Sequence, residues 1–120
     1  MLIVKPEPGH VLCRLDAISD PGALGFVFGE GETRFAGFLV RRGGTVAGYV
    51  DSCPHVGVPL AMTPTGYLTP KSDYIMCSTH GALFRLDDGF CVGGPCSGRK
   101  LRPWPVESVD GEVRVAPEAE

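Results

Sequence analysis

Two short segments of the sequence each combine a cysteine with a histidine. The first, C-P-H, contains Cys53 and His55, and the second, C-S-T-H, contains Cys77 and His80 after an interval of 21 residues. Thiolate and imidazole groups are common protein ligands of iron and zinc. One ligand of each type per segment suits a [2Fe–2S] cluster with unlike ends, in which two cysteines hold one iron and two histidines hold the other. The pattern therefore predicts a metal centre at these four residues.

A structural zinc ion is the alternative occupant of the same four residues. Zinc sites commonly place two cysteines in one turn and two histidines in another, whereas each segment here mixes the two types. A structure without metal would require four ligand-type residues to coincide in two matched segments. We therefore favour the iron–sulfur cluster and keep the zinc module as an alternative.

The remaining cysteines and two other side chains receive simpler interpretations. Cys13 alternates with apolar residues and is predicted to be a small core residue. Cys91 and Cys96 either form a disulfide or stay as two reduced thiols, and we favour the thiols. His10 is predicted to lie at the surface, and Trp104 to pack in the core.

Composition indicates one soluble globular domain over residues 1–120, with 43% apolar and 21% charged residues. A net charge of −3 without a basic cluster argues against nucleic-acid binding. No run approaches the roughly 18 apolar residues of a membrane span, and the N-terminus lacks the pattern of a signal peptide. We expect a cytoplasmic protein, where reducing conditions favour metal binding by the five cysteines over disulfides.

Strand signals dominate the rest of the sequence. The 17 glycines and 11 prolines disfavour helices and favour turns. Short apolar or alternating runs predict strands over 11–15, 25–29, 35–41, 45–50, 83–86, 90–92, 106–109 and 113–115. Hairpin turns are predicted at Gly43-Gly44, Gly89 and Asp110-Gly111, since these residues tolerate positive φ. The sequence predicts an all-β fold with ordered loops at 52–67 and 76–82.

On these residues the sequence resembles the Rieske [2Fe–2S] ferredoxins and related Rieske domains. The resemblance is strongest over 53–95, where HGALFRLDDG looks like the second ligand loop and its following hairpin. Gly94-Pro95 resembles the loop that covers the cluster, and LRPWPV the strand returning to the base. It implies three antiparallel sheets, with a barrel-like base and an inserted cluster-binding subdomain at about 52–97. It also implies one [2Fe–2S] cluster per chain, held by Cys53, His55, Cys77 and His80.

Departures from the family pattern indicate which branch the sequence resembles. The cytochrome-complex branch has two disulfide-forming cysteines where this sequence has Val58 and Thr79, and two hydrogen-bond donors where it has Ala82 and Phe84. Donors to the cluster sulfurs stabilise the more negative reduced form. Their loss predicts a reduction potential below 0 mV, in the lower part of the roughly −150 to +300 mV Rieske range.

The resemblance implies an electron carrier, and not an enzyme. We expect a ferredoxin, most simply a monomer, that passes electrons from a flavin-containing reductase to a terminal oxygenase. A complete oxygenase needs a second iron site with two histidines and a carboxylate, and His10 is the one histidine left. The alternative is a small redox subunit similar to that of nitrite reductase. The acidic residues Asp51, Asp73, Asp87 and Asp88 are interpreted as solvated surface.

Overall fold

The computed structural model describes residues 6–29, 34–51, 66–69, 71, 73–77, 81–94 and 98–117. In these residues the chain forms nine β-strands and one turn of 3-10 helix, Leu15–Ala17. The strands are β1 (Val11–Arg14), β2 (Gly22–Phe28), β3 (Phe35–Arg42), β4 (Thr45–Val50), β5 (Ile75–Met76), β6 (Leu83–Phe84), β7 (Cys91–Gly93), β8 (Val106–Val109) and β9 (Glu112–Val115). No helix within the described ranges is both long and apolar enough to cross a membrane.

The strands form three antiparallel sheets, in the orders β1-β9-β8, β2-β3-β4 and β5-β6-β7. They are named the base sheet, the middle sheet and the site sheet, respectively. The predicted all-β fold with three antiparallel sheets is confirmed. The largest difference in bounds is at β2, which begins at Gly22 although the predicted strand began at Gly25. Strand β6 ends at Phe84 although the prediction continued to Leu86. The backbone turns there because the N–H of Arg85 donates to the carbonyl of Phe90, at 3.0 Å, and Leu86 is buried inside the turn.

Glycine turns close the hairpins at the predicted places. Asp110 and Gly111 join β8 to β9 with φ values of 51° and 78°. Two consecutive positive φ values are typical of the two-residue hairpin turn whose twist matches that of the strands it joins. Gly43, with φ of 65°, lies in the turn between β3 and β4, where Arg42 pairs with Thr45. These turns fix the registers of the paired strands.

The middle sheet is buried on both faces. Phe35 and Leu39 of β3 belong to a core shared with the base sheet, whereas Phe38 and Val40 belong to a second core shared with the site sheet. Successive side chains of a strand point to opposite faces, so β3 contributes alternately to the two cores. The partner residues follow the same alternation, since Leu24 pairs with Leu39. The middle sheet therefore separates the base from the site sheet.

Trp104 fills the base core, as predicted. Its indole is fully buried and lies edge-on to Phe26, Phe28 and Phe35, with ring centroids 5.2 to 6.4 Å apart. A Cβ at Gly37 would come within 2.5 Å of the indole, so the strand can pass the ring only with glycine there. The base core is consequently centred on one aromatic side chain.

Candidate metal centre

Cys77 is the predicted ligand that the structure describes; Cys53, His55 and His80 lie outside the described residues. Cys77 directly follows β5 and its residue surface is 0% exposed. Its N–H donates to the carbonyl of Ala82 at 2.9 Å, and its own carbonyl accepts the N–H of Gly81 at 2.8 Å. Gly81 has a φ of 71°, a conformation that favours glycine. These bonds bring together the two ends of the second cysteine–histidine segment.

The segment that begins at Gly94 lies against this turn. Gly94 has a φ of 90°, and a Cβ there would come within 2.7 Å of the Ala82 Cα. Only glycine combines that backbone conformation with that close approach. The start of the predicted covering loop therefore touches the second ligand segment, while Pro95 and Cys96 lie outside the described residues. Cys91 is buried, and its thiol donates to the carbonyl of Gly93 at 3.1 Å.

Asp51 directly precedes the predicted loop over 52–67, here called the first ligand segment, and Tyr67 is its last residue; the two side chains meet. The Tyr67 hydroxyl donates to Asp51 Oδ2 at 2.8 Å, and the Asp51 N–H donates to the carbonyl of Ala36 at 2.9 Å. Burial, followed by the hydrogen bond to Asp51, raises the pKa of the Tyr67 hydroxyl well above its usual value. The hydroxyl therefore stays protonated and acts as the donor.

A row of three aromatic rings connects this tyrosine to the middle sheet. Tyr67 stacks on Phe38 with centroids 4.3 Å apart and planes at 9°, and Phe38 is 5.7 Å from the ring of Tyr49. The Tyr49 hydroxyl donates to the carbonyl of Leu86 at 2.8 Å, and burial raises its pKa. The rings thus join the chain at Tyr67 and the turn between β6 and β7 to the middle sheet.

One of the four acidic residues interpreted as solvated surface has a different role. Asp51 is partly buried and accepts a hydrogen bond, so the interpretation as solvated surface is wrong for this residue. Asp88 forms an ion pair with Arg85 at 2.5 Å, and Asp73 accepts a hydrogen bond from the Thr69 hydroxyl at 2.7 Å. Sequence reasoning missed the contact between Asp51 and Tyr67. The one feature of the sequence that could have indicated it is their position on either side of the first cysteine–histidine segment.

Three sequence interpretations outside the site agree with the structure. His10 is exposed and lies edge-on to Phe28, with centroids 6.0 Å apart. Cys13 is half-buried against the base core, and burial, followed by the charge of Asp16, raises the pKa of its thiol. Trp104 is the third, packed in the base core. All three side chains contact the base core and have a structural role there.

The described residues around Cys77 fit a buried metal cluster. The thiol is at the end of a strand where no part of the residue is exposed, and its backbone is held by two hydrogen bonds. Glycines at 81 and 94 allow two chain segments to approach each other there. Ala82 and Phe84 are fully buried and carry no side-chain donor. A three-sheet β fold with a buried cysteine at the end of a strand fits one class of protein, the small β proteins that hold an iron–sulfur cluster.

Sequence comparison identifies the family within that class. The family model described as the Rieske [2Fe–2S] domain matches residues 10–115. The match covers most of the chain, and the chain therefore belongs to the Rieske [2Fe–2S] domain family. It binds one Rieske-type [2Fe–2S] cluster per chain and acts as an electron carrier. A search of curated protein sequences finds no match.

Solved structures share this fold. The ferredoxin of carbazole 1,9a-dioxygenase from Nocardioides aromaticivorans IC177 is 24% identical, covers 94% of this chain and 100% of its own, and has a TM-score of 0.68. The terminal oxygenase from the same organism is 25% identical over 92% of this chain but 30% of its own, with a TM-score of 0.72. A complex of reduced oxygenase and oxidized ferredoxin in carbazole 1,9a-dioxygenase contains a chain that is 25% identical. The match covers 88% of this protein and 99% of that chain, with a TM-score of 0.66.

Proposed function

We propose that this chain is a ferredoxin that delivers single electrons to a terminal oxygenase, after receiving them from a flavin-containing reductase. The observation that carries the proposal is coverage: the alignment spans the full length of a dioxygenase ferredoxin but less than a third of an oxygenase chain. A solved complex of an oxygenase with its ferredoxin supports the partner class. In this proposal the chain is a single domain, with about residues 52–97 forming the cluster-binding part.

The proposed ligands are Cys53 and Cys77 for one iron and His55 and His80 for the other. When bound, the cluster accepts and releases one electron. The role of the chain is to keep its ligands fixed during that change, and the two backbone bonds of Cys77 serve this purpose. Because Ala82 and Phe84 offer no donor, nothing on these two side chains stabilises added negative charge. We therefore propose a potential below 0 mV.

We also propose that the protein has no catalytic site of its own. Once His55 and His80 are assigned as ligands, His10 is the one remaining histidine. It is exposed beside Phe28 and belongs to the base, so it has no partners for the two-histidine, one-carboxylate site of an oxygenase. The reaction in which the electrons are used takes place on the partner protein.

The ligand set is tested by electron paramagnetic resonance of the dithionite-reduced protein, with iron and sulfide assayed on the same sample. We expect about two irons and two sulfides per chain and a rhombic spectrum whose average g-value is lower than that of an all-cysteine cluster. A spectrum typical of four cysteine ligands would remove His55 and His80 from the site. Stoichiometric zinc without iron would support the structural zinc module instead.

Electron delivery is tested with the reduced protein and a candidate terminal oxygenase in a stopped-flow instrument. We expect the visible absorbance of the oxidised carrier to return on mixing, with a second-order rate that falls as salt is added. Gel filtration with the reductase then distinguishes a carrier from a permanent subunit. Coelution at micromolar concentration would contradict the shuttle and favour the subunit of a reductase complex.

A further inference from the structure

The ends of the first ligand segment are joined by a side-chain hydrogen bond. Asp51 is two residues before Cys53, and Tyr67 is the last residue of the predicted loop over 52–67 that carries Cys53 and His55. The distance from Tyr67 Oη to Asp51 Oδ2 is 2.8 Å, which makes a charge-assisted bond across the base of that loop. The loop therefore begins and ends at residues that bind each other.

The same tyrosine is bonded to the entry of the second ligand segment. Its carbonyl accepts the N–H of Met76 at 2.8 Å, and Met76 directly precedes Cys77. The next residue, Leu68, forms a bridge with Ile75. One residue thus fixes the exit of the first segment and the entrance of the second.

The middle sheet holds the tyrosine ring in place. The ring stacks on Phe38 with centroids 4.3 Å apart. A Cβ at Gly25, the cross-strand partner of Phe38, would collide with the Tyr67 hydroxyl, so glycine provides the space that the hydroxyl occupies. Tyr67 is 4% exposed and has little freedom to rotate. The position of its hydroxyl is consequently defined by the rigid part of the fold.

We propose that Tyr67 is a positioning residue that clamps the two ligand segments at a fixed separation, through its hydrogen bond to Asp51. The inference rests on the proposed ligand set for its connection to the cluster. Joining the ends of a loop removes conformations that the open loop could otherwise adopt. The clamp therefore limits the conformations open to the chain between its two ends when the cluster is absent, and slows loss of the cluster when it is present.

The test variant is Tyr67→Phe, with Tyr49→Phe as its matched control. Both residues are almost fully buried tyrosines in the same aromatic row, and each donates one hydrogen bond of 2.8 Å. The control bond goes to the carbonyl of Leu86 and not to an end of the ligand segment. Each substitution removes a hydroxyl and retains the ring, so each variant keeps its ring contact with Phe38.

The first measurement is the rate at which the visible absorbance of the cluster is lost to an excess of iron chelator. We expect Tyr67→Phe to release the cluster about tenfold faster than the parent, and Tyr49→Phe to stay within about twofold. Similar rates for the two variants would mean that any buried hydroxyl has this effect, and would overturn the proposal.

Substitutions of Asp51 test whether the effect passes through the hydrogen bond. Asp51→Asn retains an acceptor oxygen and should keep most of the slow release, whereas Asp51→Ala should release the cluster at least as fast as Tyr67→Phe. Adding Tyr67→Phe to Asp51→Ala should cause little further acceleration, because the bond that it removes is already lost. Additive effects of the two substitutions would contradict the clamp.

Amide hydrogen exchange of the protein as isolated tests the clamp independently of the ligand assignment. The Asp51 N–H bonds to Ala36 and the Met76 N–H bonds to Tyr67, so both report on the clamped ends. We expect Tyr67→Phe to accelerate exchange of both amides about tenfold, and Tyr49→Phe to leave them within about twofold. Unchanged exchange would overturn the clamp even if the cluster binds as proposed, and accelerated exchange would support it even if the ligand set is wrong.

Discussion

The middle sheet and the site sheet differ in how they maintain their structure. Strands β2, β3 and β4 are 7, 8 and 6 residues long and are paired along nearly their whole lengths. Strands β5, β6 and β7 have 2, 2 and 3 residues. Such short strands cannot form a stable sheet by themselves. The site sheet therefore depends on packing against the middle sheet, whereas the middle sheet has a second core of its own on the opposite face.

The difference separates stability from function in this small protein. The base core is apolar and centred on Trp104, with no predicted metal ligand among its members. The site core contains Cys77 together with Phe38 and Tyr49 of the middle sheet. Damage to the base should consequently affect both regions, and damage to the site sheet should affect the metal centre first.

The largest effect is expected from Trp104→Ala. Removing a fully buried indole leaves a cavity, and we expect the free energy of unfolding to fall by about 3–5 kcal/mol. Chemical denaturation of the cluster-free protein, followed by circular dichroism and by tyrosine fluorescence, measures the change. Phe84→Ala, a truncation of the fully buried aromatic in β6, is the comparison. The site sheet is expected to contribute less to the stability of the whole fold than the base does. If Phe84→Ala abolishes the circular dichroism signal as completely as Trp104→Ala, this expected difference is contradicted.

A smaller, local effect is expected from Gly94→Ala. The substitution combines a positive φ of 90° with a collision at the Ala82 backbone. Gly98→Ala is the matched control, because Gly98 has a φ of 88° and nothing within 4 Å of an added Cβ. We expect both to lose about 1 kcal/mol from the backbone conformation, and Gly94→Ala to lose a further 1–3 kcal/mol. Thermal unfolding measures the difference, and equal losses would contradict the contact between the segments.

Ala82→Ser should change the potential with little effect on the fold. A hydroxyl at this position supplies a donor of the kind that the family resemblance associates with the cluster sulfurs, and it should stabilise the reduced state. We expect the potential to rise by on the order of 50–100 mV. Ala23→Ser makes the same chemical change in the same core but on β2, and should leave the potential unchanged. Protein film voltammetry measures both, and an equal shift in the control would reject the local explanation.

The smallest effect is expected at the β6–β7 turn, where Arg85 pairs with Asp88. The hydrogen bond from Arg85, followed by that from the Phe90 N–H, lowers the pKa of the Asp88 carboxyl. A carboxyl with a lowered folded-state pKa stabilises the fold above its unfolded pKa of about 3.9, and this contribution is lost as pH falls through the lower, folded value. Both groups are exposed, so Arg85→Gln should lower Tm only slightly at pH 6. Melting curves between pH 6 and pH 2 should converge, and a constant difference would contradict the assignment.

Much of the fold follows from local patterns in the sequence. The Asp110-Gly111 turn and the alternating runs beside it predict β8 and β9 because positive φ and a two-residue period are both local properties. The two cysteine–histidine segments likewise predict the kind of metal from ligand types alone. The family match agrees with that interpretation. The assignment of Cys53, His55, Cys77 and His80 as individual ligands stays a prediction.

The clamp could not be predicted, because its partners are distant in sequence and ordinary in type. Asp51 and Tyr67 are 16 positions apart, and an aspartate at the end of a strand is usually solvated. The space at Gly25 that admits the tyrosine hydroxyl depends on the packing of three separate segments. The early end of β6 has a local origin instead, since the side chain of Asp88 accepts the N–H of the nearby Phe90 and stabilises a tighter turn.

The alternation along β3 limits how this protein can change by insertion or deletion. Phe35 and Leu39 serve one core, and Phe38 and Val40 serve the other. A single residue added within the strand would exchange the two sets, which would move Phe38 away from Tyr67 and into the base. A substitution in β3 affects the packing of one core, whereas a change in the length of the strand affects both cores. We therefore expect homologues of this chain to vary in the composition of β3 and to keep its residue count.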